Sequence, residues 1–132
     1  MINLSELERA VLEKLLQGTH PFLVRLNSQT EFCYVRRREM TGAGFYTYFE
    51  IRRAPLQIYD IDLRFGDVVA EIPGLKNGAG FLLYVKNGLL DMLEGYSYDE
   101  TWPDMIPRYI LKYTSGEKRD LTVLDGALGK PE

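Results

Sequence analysis

Two groups of side chains in this 132-residue chain could do chemistry: carboxylates set among tyrosines, and arginines set beside aromatics. Residues 91–104 carry Asp91, Glu94, Asp99, Glu100 and Asp104 and no base. Paired carboxylates serve as acid and base when their environments separate their pKa values. Glu94 is the leading candidate and Glu71 the second, each as a general base in a tyrosine-lined pocket. The acids lack the spaced Asp/Asn-Gly pattern of calcium loops, so no metal is assigned to them. Arg36, Arg37 and Arg38 follow Tyr34, and Arg52 and Arg53 follow Tyr46 and Tyr48. Basic residues interleaved with aromatics are how sheets stack nucleic-acid bases. Strand alternation divides the arginine triplet between two faces, however, and a formal net charge of -3 is a poor match for phosphate. Nucleic acid is therefore not the expected partner.

The other reactive groups exclude more than they suggest. Cys33 is the only cysteine and His20 the only histidine. An internal disulfide, a thiolate zinc site and a histidine pair are thereby ruled out. Cys33 lies between Phe32 and Tyr34, where a buried apolar thiol is the default. Ser97 has no nucleophile-elbow motif around it. Gly42-Ala43-Gly44 and the Gly74–Gly80 stretch are glycine-rich, but strand-like runs follow both, whereas a phosphate loop opens a helix. No cofactor is expected.

These residues must be positioned by elements that the pattern supplies. Asn3 and Glu6 have capping-box types, and Leu4, Leu7, Val11, Leu12, Leu15 and Leu16 recur at helical spacing up to Gly18. Thr19 or His20 caps a second short helix with Pro21 near its first turn, a short strand over Phe22-Leu23-Val24 being the competing reading. Residues 31–40, 45–51 and 67–72 read as strands, and Arg52 to Phe65, with Pro55, reads as a loop with one short extended piece. Asn87-Gly88 supplies the two positive-φ positions of a type I′ turn between strands 81–86 and 89–94. Uninterrupted pairing then sets Val85 against Leu90, Leu83 against Met92 and Phe81 against Glu94. That register places Glu94 on the apolar face, where it needs a hydrogen-bond partner such as Arg36, Arg38, Tyr96 or Tyr98. Residues 95–105 read as an ordered loop, 108–114 as a strand and 121–124 as a weak last strand.

The expected architecture is α+β: an antiparallel β-sheet packed on one face by one or two N-terminal helices. Residues 1–125 form the single domain and 126–132 a flexible C-terminal tail. Hydrophobic residues at 45% and charged residues at 27% are ordinary for a folded domain. No apolar run approaches the roughly 20 residues needed to cross a bilayer, and Glu6 and Glu8 stand where a signal peptide would be basic. A cytoplasmic location without membrane contact is expected.

Thr41-Gly42-Ala43-Gly44-Phe45, together with Asp91-Met92-Leu93-Glu94-Gly95-Tyr96-Ser97-Tyr98-Asp99-Glu100-Thr101-Trp102-Pro103, resembles a family of small uncharacterised bacterial proteins. The resemblance covers residues 1–113. It implies a small cytoplasmic bacterial protein and transfers no activity. Tyr, Trp and Arg dominate interaction hot spots. The expected working surface therefore joins Glu94, Tyr96, Tyr98 and Trp102 to Arg36 and Arg38. It would serve a protein partner, as when an acidic immunity protein neutralises a toxin, with the chain itself a monomer or homodimer. A small-molecule-binding protein or an enzyme using Glu94 or Glu71 is the alternative.

Overall fold

The computed structural model describes residues 1–53 and 60–129. The part of the expected loop around Pro55 and the last three residues of the expected tail lie outside these. The first helix, α1 (Glu6–Leu15), starts at Ser5 rather than Asn3. Ser5 Oγ accepts from the Glu8 N–H at 3.1 Å, and Glu8 Oε1 accepts from the Ser5 N–H at 2.7 Å. This is a complete capping box, two residues later than the one suggested by Asn3 and Glu6. Val11, Leu12 and Leu15 occupy the buried stripe. The second helix, α2 (Pro21–Asn27), has His20 as its N-cap and Pro21 at its first position, and it buries Leu23 and Leu26.

Among the described residues, seven strands form one antiparallel sheet: β1 (Cys33–Met40), β2 (Gly44–Ile51), β3 (Leu63–Phe65), β4 (Val68–Glu71), β5 (Ala79–Lys86), β6 (Leu89–Ser97) and β7 (Ile110–Tyr113). Their order is β1-β2-β6-β5-β4-β7, with β3 pairing the other end of β5. One face carries Val35, Phe45, Thr47, Phe49, Phe81, Leu83, Leu93 and Val68, all buried. The helices supply the other half of this core, each fully buried leucine or phenylalanine contributing roughly 1.5–3 kcal/mol. An α+β sheet with helices on one face is thus the observed architecture.

Asn87 (φ 53°) and Gly88 (φ 74°) make the expected tight turn, and Val85 opposes Leu90. The register then departs from the simple expectation. Tyr84 opposes Met92, Leu83 opposes Leu93, Leu82 opposes Glu94 and Phe81 opposes Gly95. Asp91 is an extra residue in β6, and one extra residue reverses which face every later side chain takes. Leu93 therefore enters the core, while Glu94 points to the opposite face. A second extra residue, Arg36, sits in β1 between the pairs Val35–Phe49 and Arg37–Tyr48. Beyond it Arg38 opposes Thr47 on the helix-covered face.

Residues 121–124 are not a strand. They begin the third helix, α3 (Leu121–Leu128), whose N-cap Asp120 accepts from the Thr122 N–H at 2.9 Å. Leu124 and Leu128, one helical turn apart, enter the core, so the segment from Gly126 to Leu128, expected to start the tail, is the last turn of a docked helix. His20 holds this end: its Nδ1 accepts from the Phe22 N–H at 3.1 Å, which leaves Nε2–H to donate to the Gly129 carbonyl at 2.7 Å. Both ring nitrogens of the single histidine are therefore used in tying α2 to the end of α3.

Candidate functional site

The sheet has a second face, and no described helix covers it. Its side chains follow from register. Tyr46 opposes Glu94, which opposes Leu82 on the far side. In the next row Arg37, Tyr48, Met92, Tyr84 and Arg64 run across five strands. On the other side Tyr96 lies between two glycines, Gly44 and Gly80, and Gly80 opposes Val69. A Cβ at Gly80 would sit 2.4 Å from the Tyr96 ring, so the missing side chain is what lets this ring lie down on β5. Among the described residues, Tyr34, Tyr46, Tyr48, Tyr84 and Tyr96 all project from this face and none is fully buried. The face is a broad aromatic platform with charges set into it.

Glu94 stands near its middle. Tyr84 donates its hydroxyl to Glu94 Oε1 at 3.2 Å. The carboxylate's charge, the largest cause, pushes the Tyr46 hydroxyl above its ordinary pKa. Burial first, and Glu94 second, push up that of Tyr84. A tyrosine does hold Glu94, as its chemistry requires, but on the open face and not at the edge of the core. The cause of the misplacement is the extra residue at Asp91. Set among these phenols, the carboxylate is a hydrogen-bond acceptor on the open face.

The other expected site residues separate into three groups. Tyr96 shares the open face with Glu94, and Tyr98 meets the Tyr96 ring edge-on at 5.7 Å between centroids. Burial first, then Tyr98, raises the Tyr96 hydroxyl. Arg36 reaches the same face at the β1 edge, where its guanidinium lies 5.9 Å from the Tyr48 ring centre and that of Arg37 lies at 3.9 Å. Trp102 and Arg38 are part of the frame. Trp102 is 7% exposed and packs its ring against the edge of Phe45. Arg38 donates to both oxygens of buried Glu8, at 2.9 and 2.8 Å, and to the Asn3 carbonyl. Glu71 lies at the β4–β7 end and is ion-paired with Lys112 at 3.0 Å; both are well exposed.

Of the other residues on this face, Arg37, Tyr46 and Tyr48 enter the sequence reading only in the nucleic-acid group set aside there, and Tyr84 enters none. Strict alternation in β2 could have found Tyr46 and Tyr48, since Phe45, Thr47 and Phe49 claim the buried face. Nothing in the local pattern marks Tyr84 or Arg37 apart from the register. Cys33 is 3% exposed, and burial, outweighing nearby Arg9, pushes its thiol up to about 12. It should therefore resist aromatic disulfide reagents in the native protein at pH 8 and react fully once unfolded in guanidinium. A stoichiometric burst without denaturant would contradict this burial. No family model matches this chain, and no curated protein or solved structure matches it.

Proposed function

We propose that this protein binds another protein through the open face of its sheet. The observation that carries the reading is the group of five partly exposed tyrosines on a face that no described helix covers. Tyrosine offers a large rigid contact area with two side-chain torsions and a hydroxyl that tolerates water, and with arginine it dominates interaction hot spots. The platform is broad, which suits a protein partner better than a small molecule. Its charges alternate in sign: Arg36, Arg37 and Arg64 stand against Glu39, Glu50 and Glu94, so it lacks the continuous basic surface that nucleic acid requires. The net charge of -3 favours a basic partner, and neutralisation of a toxin by complex formation is one role of that kind. An intramolecular precedent exists on the same face. Tyr48 takes the Arg37 guanidinium onto its ring while its hydroxyl donates to Glu39 at 3.4 Å, the kind of aromatic and acidic seat a partner's arginine would find at Tyr46, Tyr84 and Glu94.

The test compares baits in extracts of the native host. Proteins retained by the wild-type chain should also be retained by Val24→Ser, altered on an exposed helix position, and lost by the double variant Tyr46→Ser, Tyr84→Ser. Glu94→Gln should weaken the same capture about tenfold, the effect of losing one charged seat. Each variant must melt as wild type does. Partners retained equally by the open-face variant would move the interaction elsewhere, and capture of nothing by the wild type would remove the reading.

A further inference from the structure

We propose that the groove at the β4–β7 end of the sheet is a separate binding site for a small amphipathic anion, a carboxylate or sulfonate on an apolar or aromatic body. The groove encloses about 690 Å³. Small-molecule sites occupy roughly 300–1,000 Å³. Its floor comes from β4 and β7, where Val69 lies beside Lys112 and Glu71 beside Ile110. Its walls are the turn after β4 and the chain that carries Tyr98 and Tyr109.

The walls are held in place before any ligand arrives. The Glu100 carboxylate accepts from the backbone N–H groups of Lys76 and Asn77 at 2.7 and 3.0 Å, and these bonds hold its pKa below the usual carboxylate range. The Ser97 hydroxyl donates to the Glu100 carbonyl at 2.6 Å. Two loops far apart in sequence are thereby fastened to one another. A site built this way loses little entropy when it is filled.

The lining states the ligand's chemistry. Ile110 is 61% exposed and Tyr98 46% exposed, so the groove offers apolar surface to solvent. In a chain whose net charge is -3, this groove contains Lys76, Arg108 and Lys112 against the single acid Glu71. Lys112 is paired with Glu71, and Lys76 lies near Glu100. Arg108 makes no hydrogen bond or ion pair with any described residue. An exposed guanidinium with no partner among the described residues, beside exposed isoleucine and tyrosine, matches an anionic head with an apolar body, since arginine presents two parallel donors to a carboxylate or sulfonate.

The probe is 8-anilinonaphthalene-1-sulfonate, titrated into the folded protein and read by fluorescence, with the uncharged N-phenyl-1-naphthylamine as comparison. Saturable binding at one site is expected, weakened about tenfold or more by Arg108→Glu, because a charge-assisted hydrogen bond becomes a repulsion. Arg108 is exposed, so the variant should melt as wild type does. Val69→Trp, which fills the floor, should abolish binding, and Glu94→Gln on the protein-binding platform should leave it unchanged. Binding left intact in Arg108→Glu, equal affinity for the uncharged probe, sensitivity to Glu94→Gln, or no saturable binding would each overturn the proposal.

Discussion

Arg119→Met should lower the melting temperature by about 10–20 °C, corresponding to roughly 3–5 kcal/mol for the loss of one partner of a buried ion pair in a domain of this size. Arg119 and Asp67 are the most enclosed charges opposed to one another among the described residues, their side chains 7% and 9% exposed. The guanidinium meets both carboxylate oxygens, at 2.6 and 2.7 Å. Its remaining N–H groups donate to the carbonyls of Leu15 and Gln17 at the C-terminal end of α1, both at 2.7 Å. Helix ends leave such carbonyls without intrahelical partners, and a cation is favoured there by the helix dipole. Methionine can fill much of the volume but offers no donor. Asp67 is left as a buried unpaired carboxylate, and two helix carbonyls lose their bonds. Arg119→Lys should recover only part of the loss, since one ammonium cannot serve a bidentate carboxylate and two carbonyls together. Urea unfolding at pH 7 measures both. A change under about 1 kcal/mol for Arg119→Met would show that α1, β4 and the segment before α3 are not joined through this residue.

The same contact is one of three anchors that leave the platform out of the fold's framework. Arg119 joins α1 to the start of β4, Tyr113 donates to the Lys14 carbonyl at 3.0 Å, and Gln29 holds the hairpin by donating to the Gly88 carbonyl and accepting from the Leu90 N–H. All three anchors lie on the helix-covered side. Tyr46, Tyr84 and Glu94 share none of these bonds. Substitutions there should change recognition with little effect on stability, as expected for sites with no shared partners.

The sequence pattern reaches as far as its periodicities stay unbroken. The apolar spacing from Leu7 to Leu15 places α1, and Asn87-Gly88 places the β5–β6 turn, because each is a local constraint that tertiary packing does not override. Simple alternation puts Glu94 on the wrong face and groups Arg38 with Arg36, for one shared reason. Each lies beyond a single extra residue, Arg36 or Asp91, and neither carries a local signal such as glycine to mark the bulge. The bulges also bring the platform together: the first directs both Arg36 and Arg37 toward Tyr48, and the second turns Glu94 out between Tyr46 and Tyr84. Leu121-Thr122-Val123-Leu124 reads as a strand because its branched residues favour one, yet the Asp120 cap and the one-turn spacing of Leu124 and Leu128 decide for a helix. Residue type alone marks Trp102 as a surface anchor, and only the long-range packing against Phe45 shows it to be core.

Glu8→Ala should cost about 3 kcal/mol at pH 7, because one carboxylate satisfies three separate demands. It completes the capping box at Ser5, pairs with Arg38, and accepts the hydroxyl of Thr47, which is wholly buried in the middle of β2. Alanine leaves that hydroxyl without an acceptor and the Ser5 N–H uncapped. Ser5→Ala removes only the cap and should cost about 1 kcal/mol. The charge can be tested apart from the hydrogen bonds by pH. Burial alone would raise the Glu8 pKa, but the bonds from Arg38, Thr47 and Ser5 outweigh it and hold the group below 4.5, its ordinary value. A carboxyl whose pKa is lower folded than unfolded contributes stability that is fully present above the unfolded value and lost as pH falls through the folded one. The stability gap between wild type and Glu8→Gln should therefore be constant from pH 7 down to about 4.5 and close progressively below it. Urea melts of both proteins at pH 7, 5 and 3 supply the comparison. A gap as large at pH 3 as at pH 7 would mean that the ionised carboxylate contributes nothing beyond its shape, and that Arg38 is held by β1 alone.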